Sequence, residues 1–166
     1  MHDLLLRLHA GEYPGSLDPP HRDRKLSVLM DWGVRTIVDL TTPQDRLEPY
    51  ADRLAELAGL RGLDLRRVNF PIPDVSVVDD DEFDHALAMI DEGLTRGAVY
   101  VHCWGGVGRT GTVIGAHLAE HGCSAREAID RMTELRRETR KGTRSIPQTE
   151  EQRAVLRRRA GKTGRN

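Results

Sequence analysis

Apolar positions along this chain follow two different periods. Val34 to Leu40 (VRTIVDL) is a short, β-branched apolar run between Gly33 and Thr41-Thr42-Pro43, which predicts a buried strand. Leu63 to Phe70 predicts a second strand, stopped by Pro71 and Pro73. Ala98 to Cys103 (AVYVHC) predicts a third, running straight into a glycine-rich loop. Elsewhere the spacing is helical. Leu26, Leu29 and Met30 mark a helix over 22–32, and Leu47, Leu54, Leu57 and Ala58 mark another over 43–60. Phe83, Leu87, Ile90 and Leu94 form the stripe of a helix that Asp79, Asp80 and Asp81 open and Gly97 closes. A helix from Arg109 to His121 stops at Gly122, and Ser124 with Glu127 forms a capping box for the next, ending near Arg137. Pro147 predicts the start of a last helix that ends near Ala160, with 161–166 as a frayed tail.

Strands alternating with helices, then several helices in a row, predict an α/β fold: a mostly parallel central sheet flanked by helices on both faces. With no internal repeat and no linker-like stretch, residues 1–160 read as a single domain. The 166 residues, 38% hydrophobic and 31% charged, are enough to bury a core. No apolar run approaches the roughly 20 residues that span a bilayer, and Arg7 interrupts Leu4-Leu5-Leu6, so neither membrane nor secretion is expected and a cytoplasmic location is. Cys103 and Cys123 make neither a disulfide framework nor a CxxC zinc pair. A net charge of −1 argues against a nucleic-acid partner. The charge is uneven, however: from Arg126 onward there are 13 Lys and Arg against 6 Asp and Glu. Arg136, Arg137, Arg140, Lys141 and Arg144 either lie on solvated helix faces or help draw in an anionic substrate.

The decisive segment is His102-Cys103-Trp104-Gly105-Gly106-Val107-Gly108-Arg109-Thr110-Gly111. It joins a strand to a helix, where open α/β sheets bind ligands. Its glycines let successive N–H groups turn inward as an anion nest, to which the helix adds its positive N-terminus. Trp104, Gly105, Gly106, Val107 and Gly108 thus become a phosphate cradle. The same field favours thiolate over thiol at Cys103. Arg109, six positions on, can reach across the loop to clamp phosphate oxygens, and the Thr110 hydroxyl can donate to the sulfur when it leaves. Nucleophile, clamp and cradle together suit in-line attack at phosphorus.

This segment resembles the active-site loop of the protein tyrosine and dual-specificity phosphatase superfamily, and the resemblance extends over nearly the whole chain. Tyr13-Pro14-Gly15 and Ile37-Val38-Asp39-Leu40 are similar to stretches of its compact bacterial-type members. The resemblance implies a phosphocysteine intermediate and no cofactor. It implies His102 as a supporting residue. It implies Asp74, in Phe70-Pro-Ile-Pro-Asp74, as the acid on an upstream loop, with Asp79–Asp81 as competitors better suited to capping. It implies that Gln148, or alternatively Gln152, positions water. The substrate would be a phosphorylated protein or a small phosphomonoester. The absence of Lys or Arg between Cys103 and Arg109 disfavours phosphoinositides, while tyrosine-only and dual specificity both stay open.

Three other readings compete. A sulfur-transfer enzyme could carry such a loop but has no use for Asp74 and Gln148. A phosphate-binding module without catalysis would be expected to lack the cysteine, arginine or acid. His117-Leu-Ala-Glu120-His121 matches the H-x-x-E-H zinc pattern but falls on a helix that must pack, so these histidines read as structural or exposed and no metal is expected. Trp104 is expected at the site mouth, and Cys123 as a small buried hydrophobe.

Overall fold

The computed structural model describes residues 7–163; the expected tail beyond Thr163 lies outside them. Four strands form one sheet: β1 (Leu8–Gly11), β2 (Val34–Asp39), β3 (Arg66–Asn69) and β4 (Ala98–His102). They run parallel in the order β1-β4-β2-β3. The six helices among the described residues are α1 (Pro19–Asp31), α2 (Ala51–Leu60), α3 (Asp80–Arg96), α4 (Gly108–Glu120), α5 (Ala125–Arg136) and α6 (Glu150–Thr163). None is long and apolar enough to cross a membrane.

Alternation along the central strands sorts the core into two layers. Val99 and Val101 of β4 and Val38 of β2 face α3, α4, α5 and α6. Ala98, Tyr100 and Ile37 point the other way, onto α1 and α2. The sheet is therefore covered on both faces, as the pattern predicted. Because β4 inserts between β1 and β2, the sheet has a topological switch at its centre, and the segments after β2, β3 and β4 converge at its carboxyl edge.

Several boundaries differ from the sequence reading. β1, with the sequence LHAG, has no apolar pattern of its own and becomes a strand only through pairing with β4, from Leu8↔Val99 to Gly11↔His102. The stretch 43–60 is not one helix. A 3-10 turn at Pro43–Asp45 is capped reciprocally by Thr42 and Asp45, and Arg46 turns left-handed at φ 51°. Pro49 then disfavours helical geometry at Glu48, so α2 begins only at Ala51. α1 starts earlier than expected because Pro19 and Pro20 suit the first helical turn. β3 is shorter than 63–70, with Leu63 and Leu65 packed against the layer that faces α1 and α2 instead. α6 starts at Glu150 rather than Pro147 and continues through Gly161 to Thr163.

α4 and α6 pack closely because Gly115 presents no side chain. A Cβ there would stand 2.5 Å from a Leu156 methyl. Arg159 of α6 is buried (1% exposed) between Asp84 of α3 and Glu120 of α4, and so joins the three helices.

Candidate active site

β4 delivers Cys103, 3% exposed, to the carboxyl edge of the sheet. The backbone of the following loop is held from outside. The His102 carbonyl accepts from Leu40 N–H (2.9 Å), and the Trp104 carbonyl accepts from Tyr13 N–H (3.0 Å). The Gly105 carbonyl accepts from Lys141 Nζ (3.2 Å), and His102 Nδ1 lies 3.2 Å from the Cys103 carbonyl. With these oxygens tied outward, the opposed N–H groups of the same peptides turn into the loop. Gly106 is required at its turn: φ is +67°, and a Cβ would stand 2.6 Å from the Gly11 backbone. Trp104 is exposed at the rim, and α4 starts at Gly108 with its amides toward the loop.

Arg109, the second residue of α4, is 1% exposed. Its Nη1 and Nη2 donate to Asp45 Oδ2 and Oδ1 at 2.8 and 2.9 Å, and Nη1 also donates to the Ile72 carbonyl (3.1 Å). Burial disfavours the charged guanidinium, but Asp45, Cys103 and Asp74 outweigh it and raise its pKa above the ordinary arginine range. Nε remains buried without a protein acceptor. The edge of the guanidinium carrying Nε is therefore the one available to an anion. Asp45 is itself held below the usual carboxylate range: burial opposes this, and Arg109 with the Thr42 amide and hydroxyl overcomes it.

Asp74 arrives on the segment after β3. Phe70 N–H and Ile72 N–H continue the sheet pattern onto the carbonyls of Asp39 and Leu40 at 2.8 and 3.1 Å. A turn then closes from Ser76 N–H to the Pro73 carbonyl, with Val75 at φ +53°. This leaves the Asp74 carboxylate half in solvent, Oδ1 3.3 Å from Arg109 Nη2. Asp79 instead caps α3 by accepting from Glu82 N–H, and Asp80 pairs with Arg158. Of the four candidate aspartates, Asp74 is thus the one joined to the arginine.

The two glutamines separate by environment. Gln152 is fully buried, and its Oε1 accepts from the amides of Gln148 and Thr149 at 3.1 Å each. Gln152 N–H donates to Thr149 Oγ1, which completes a capping box on α6, and Nε2 reaches the Ser76 carbonyl at 3.4 Å. Gln152 therefore ties the α6 entry to the loop carrying Asp74. Gln148 is exposed, and its Oε1 would lie 3.2 Å from a Cβ at Gly108, beside the start of α4. The Thr110 hydroxyl is 1% exposed and without a protein partner. Among the five basic residues considered for steering, Lys141 reaches the loop itself, and both it and Arg140 pair with Glu12.

Behind the loop lies a polar network that sequence reasoning did not assemble. Tyr50 Oη is 2.7 Å from His102 Nε2 and 3.5 Å from Asp39 Oδ2. Asp39, fully buried, accepts from Thr41 at Oδ1 and from Arg67 Nε and Nη2 at Oδ2. Burial pushes His102 down to about 4, against the partial opposition of Asp39, so the ring is neutral at working pH. The neutral tautomer that donates from Nδ1 to the Cys103 carbonyl also accepts the Tyr50 hydroxyl at Nε2. Burial also opposes ionisation of Asp39, yet His102, Thr41 and Arg67 hold it below the usual range. The one hint in the sequence was a carboxylate directly after the apolar pair Ile37-Val38 of a buried strand. Asp45 had a comparable hint, standing three residues after Thr42 just beyond a strand.

The family model of the Swiss Army Knife protein PTP-SAK, DSP-PTPase phosphatase domain, matches residues 15–161. The chain belongs to this phosphatase family. It is also 29% identical over 134 residues to the tyrosine-protein phosphatase CDC14 homolog of Schizosaccharomyces pombe. That match covers 78% of this chain and 23% of the relative, so the chain spans about a quarter of the curated protein it resembles. Among solved structures, Tk-PTP in its active form superposes with a TM-score of 0.64 at 26% identity, covering 92% of this chain and 97% of the other. Pseudomonas aeruginosa TpbA in complex with pTyr shares the fold, with a TM-score of 0.62, 18% identity and coverage of 97% and 88%. PTPMT1 in complex with PI(5)P does so with 0.66, 19% and coverage of 90% of each chain. The superfamily resemblance carried by Cys103 to Gly111 is thereby borne out.

Proposed function

We propose that this phosphatase-family chain hydrolyses phosphotyrosine, and with it phosphoserine or phosphothreonine monoesters, through a phosphocysteine intermediate. The observation that carries the reading is convergence. The cysteine-headed loop with Arg109 and the segment carrying Asp74 are separate parts of the chain, and the Asp74 carboxylate stands 3.3 Å from the arginine.

In the first step the Cys103 thiolate attacks phosphorus opposite the ester oxygen. The S–P bond forms as the P–O bond breaks, and Asp74 gives its proton to the departing phenol or alcohol oxygen. The loop amides and the Nε side of Arg109 hold the equatorial oxygens, where charge accumulates. In the second step water oriented by Gln148 attacks phosphorus and loses its proton to Asp74. The S–P bond breaks while Thr110 donates to the leaving sulfur, and inorganic phosphate departs.

The choice among phosphomonoesters rests on the cradle composition. PTPMT1 and TpbA are seen with PI(5)P and pTyr respectively, so the shared fold accommodates both classes in those proteins. The loop from Trp104 to Gly108 contributes no side-chain cation to match a polyphosphorylated headgroup, which favours a single phosphate on a phenol or alcohol.

The test is hydrolysis of para-nitrophenyl phosphate near pH 6 in EDTA and reductant, beside Cys103→Ser and Asp74→Ala. Turnover is expected in the parent, none in the serine variant, and a loss of roughly 100-fold or more in the alanine variant. Activity that survives Cys103→Ser would overturn the mechanism. A folded but inactive parent would point to a phosphate-binding module.

A further inference from the structure

The H-x-x-E-H segment of α4 has no part in the phosphatase reading, and the fold gives it a different set of neighbours. Glu120, the acid that a zinc peptidase would use as its base, is committed to Arg159 at 2.6 Å. In its place Asp91 reaches across from α3. Asp91, His117 and His121 each offer one ligand atom, and the three atoms lie within 4.8 Å of one another.

We propose that Asp91, His117 and His121 form a divalent-cation site of the zinc class, linking α3 to α4 away from the reaction centre. The ligand atoms are close enough for side-chain movement to bring them onto one ion. Histidines four apart on a helix share a face, and here their rings stack with centroids 4.2 Å apart. His121 Nδ1 lies 2.8 Å from the His117 carbonyl, a hydrogen bond that fixes its proton on Nδ1 and leaves Nε2 as a lone pair. That backbone hydrogen bond is the outer-shell partner that metal-bound histidines typically carry. His117 Nε2 lies 2.9 Å from Asp91 Oδ1. Ligands at tetrahedral angles and bond lengths of 2.0–2.1 Å are about 3.3 Å apart, so an ion requires this pair to open by a few tenths of an ångström.

The fold allows that movement. The Asp91 side chain is 55% exposed and His121 is at the surface, while the buried His117 anchors the set. Nδ1 of His117 has no protein partner, so the proton now on Nε2 can move there when an ion takes its place. Two imidazoles and one carboxylate suit zinc and its neighbours Co²⁺ and Ni²⁺ better than Mg²⁺ or Ca²⁺. Water completes the coordination sphere. His117 stands two helical turns along α4 from Arg109, about 12 Å, so the ion does not touch the phosphate loop. Its effect is to brace the helix that carries the arginine against the helix that follows the Asp74 loop.

The experiment uses the full chain as Cys103→Ser, which removes the competing active-site sulfur. Zn²⁺ is titrated calorimetrically, Co²⁺ by its visible spectrum, and Tm is followed with each. One equivalent is expected to bind, with a Co²⁺ spectrum free of sulfur charge transfer and a Tm rise on the order of 5 °C at saturation. His121→Ala and Asp91→Asn, both at exposed positions, should each weaken binding at least tenfold and abolish the Tm rise. In the Cys103 parent, His121→Ala should leave metal-free turnover of para-nitrophenyl phosphate unchanged, so failure of this site and failure of the phosphatase reading remain distinguishable. Absence of binding at millimolar Zn²⁺, or equal binding by the parent and both variants, would overturn the proposal.

Discussion

Asp45 closes on Arg109 as a two-pronged carboxylate, with contacts of 2.8 and 2.9 Å to the two terminal guanidinium nitrogens. This pairing fixes the plane of the guanidinium before any substrate arrives and leaves Nε without a protein acceptor. Orientation established in advance lowers the entropic cost of reaching the transition state.

Asp45→Asn should therefore lower kcat/KM on para-nitrophenyl phosphate by roughly 10- to 100-fold and weaken competitive inhibition by inorganic phosphate in parallel. An amide of the same shape keeps one hydrogen bond, so the fold should survive. Unchanged phosphate affinity with unchanged kcat/KM would show that Arg109 orients itself without this partner.

Gln148 and Gln152 should separate cleanly on substitution. Gln152→Ala removes a buried side chain that accepts from two amides, and should cost about 1–3 kcal/mol in urea unfolding. Gln148→Ala, at an exposed position, should leave unfolding within about 0.5 kcal/mol of the parent. Its defect should appear in the second step, as a burst of para-nitrophenol followed by slow turnover. Loss of stability without a burst in Gln148→Ala would reverse the assignment.

Stability should fall with acid because of His102. Its folded value is about 4, below the usual 6.5 of an unfolded histidine. Between those values the unfolded chain binds the extra proton, so stability declines as pH drops from 6.5 toward 4, by up to about 3 kcal/mol. Asp39, whose value is lowered in the fold, adds a loss of the same sign at still lower pH, as it takes up a proton. Urea midpoints at pH 7 and pH 4.5 in the parent and His102→Gln measure this directly. The variant should show the smaller drop, and equal drops would remove His102 from the account.

Gly115→Ala opposes two effects. On an exposed helix the change stabilises by about 1 kcal/mol. Here the added methyl would stand 2.5 Å from Leu156 Cδ2 and 2.8 Å from its Cγ, so either the Leu156 side chain moves or α4 and α6 separate. Overpacking should win, with a net destabilisation of about 1–3 kcal/mol by urea unfolding. A higher Tm in the variant would show that Leu156 can swing aside without cost.

Much of this molecule was legible before any coordinates. The apolar runs of β2 and β4, the stripe of α3 and the Ser124–Glu127 capping box are local patterns, each determined by residues within a few positions of one another. Cys103, the glycines and Arg109 lie on one short stretch between a strand and a helix, so local residues were enough to single out the loop. Asp74 was singled out by the resemblance of Phe70-Pro-Ile-Pro-Asp74 to the family's upstream acid loop, and the fold brings its carboxylate to 3.3 Å from Arg109.

The remainder depended on pairs distant in sequence. β1 carries no periodic signal and is a strand only because β4 offers it hydrogen bonds. Asp45 and Arg109 are 64 residues apart, and Asp91 and His117 are 26 apart. Thr42 and Pro49 divide a stretch that its leucine spacing had drawn as one helix. The sequence by itself determined the glycine-rich loop from Cys103 to Arg109 and the layered α/β architecture, because periodicity, caps and glycine turns act over short range. Only the tertiary structure decided which carboxylate orients the arginine, which glutamine is structural, and which histidines meet an acid. Those choices belong to the order of the strands, and no local stretch of chain contains it.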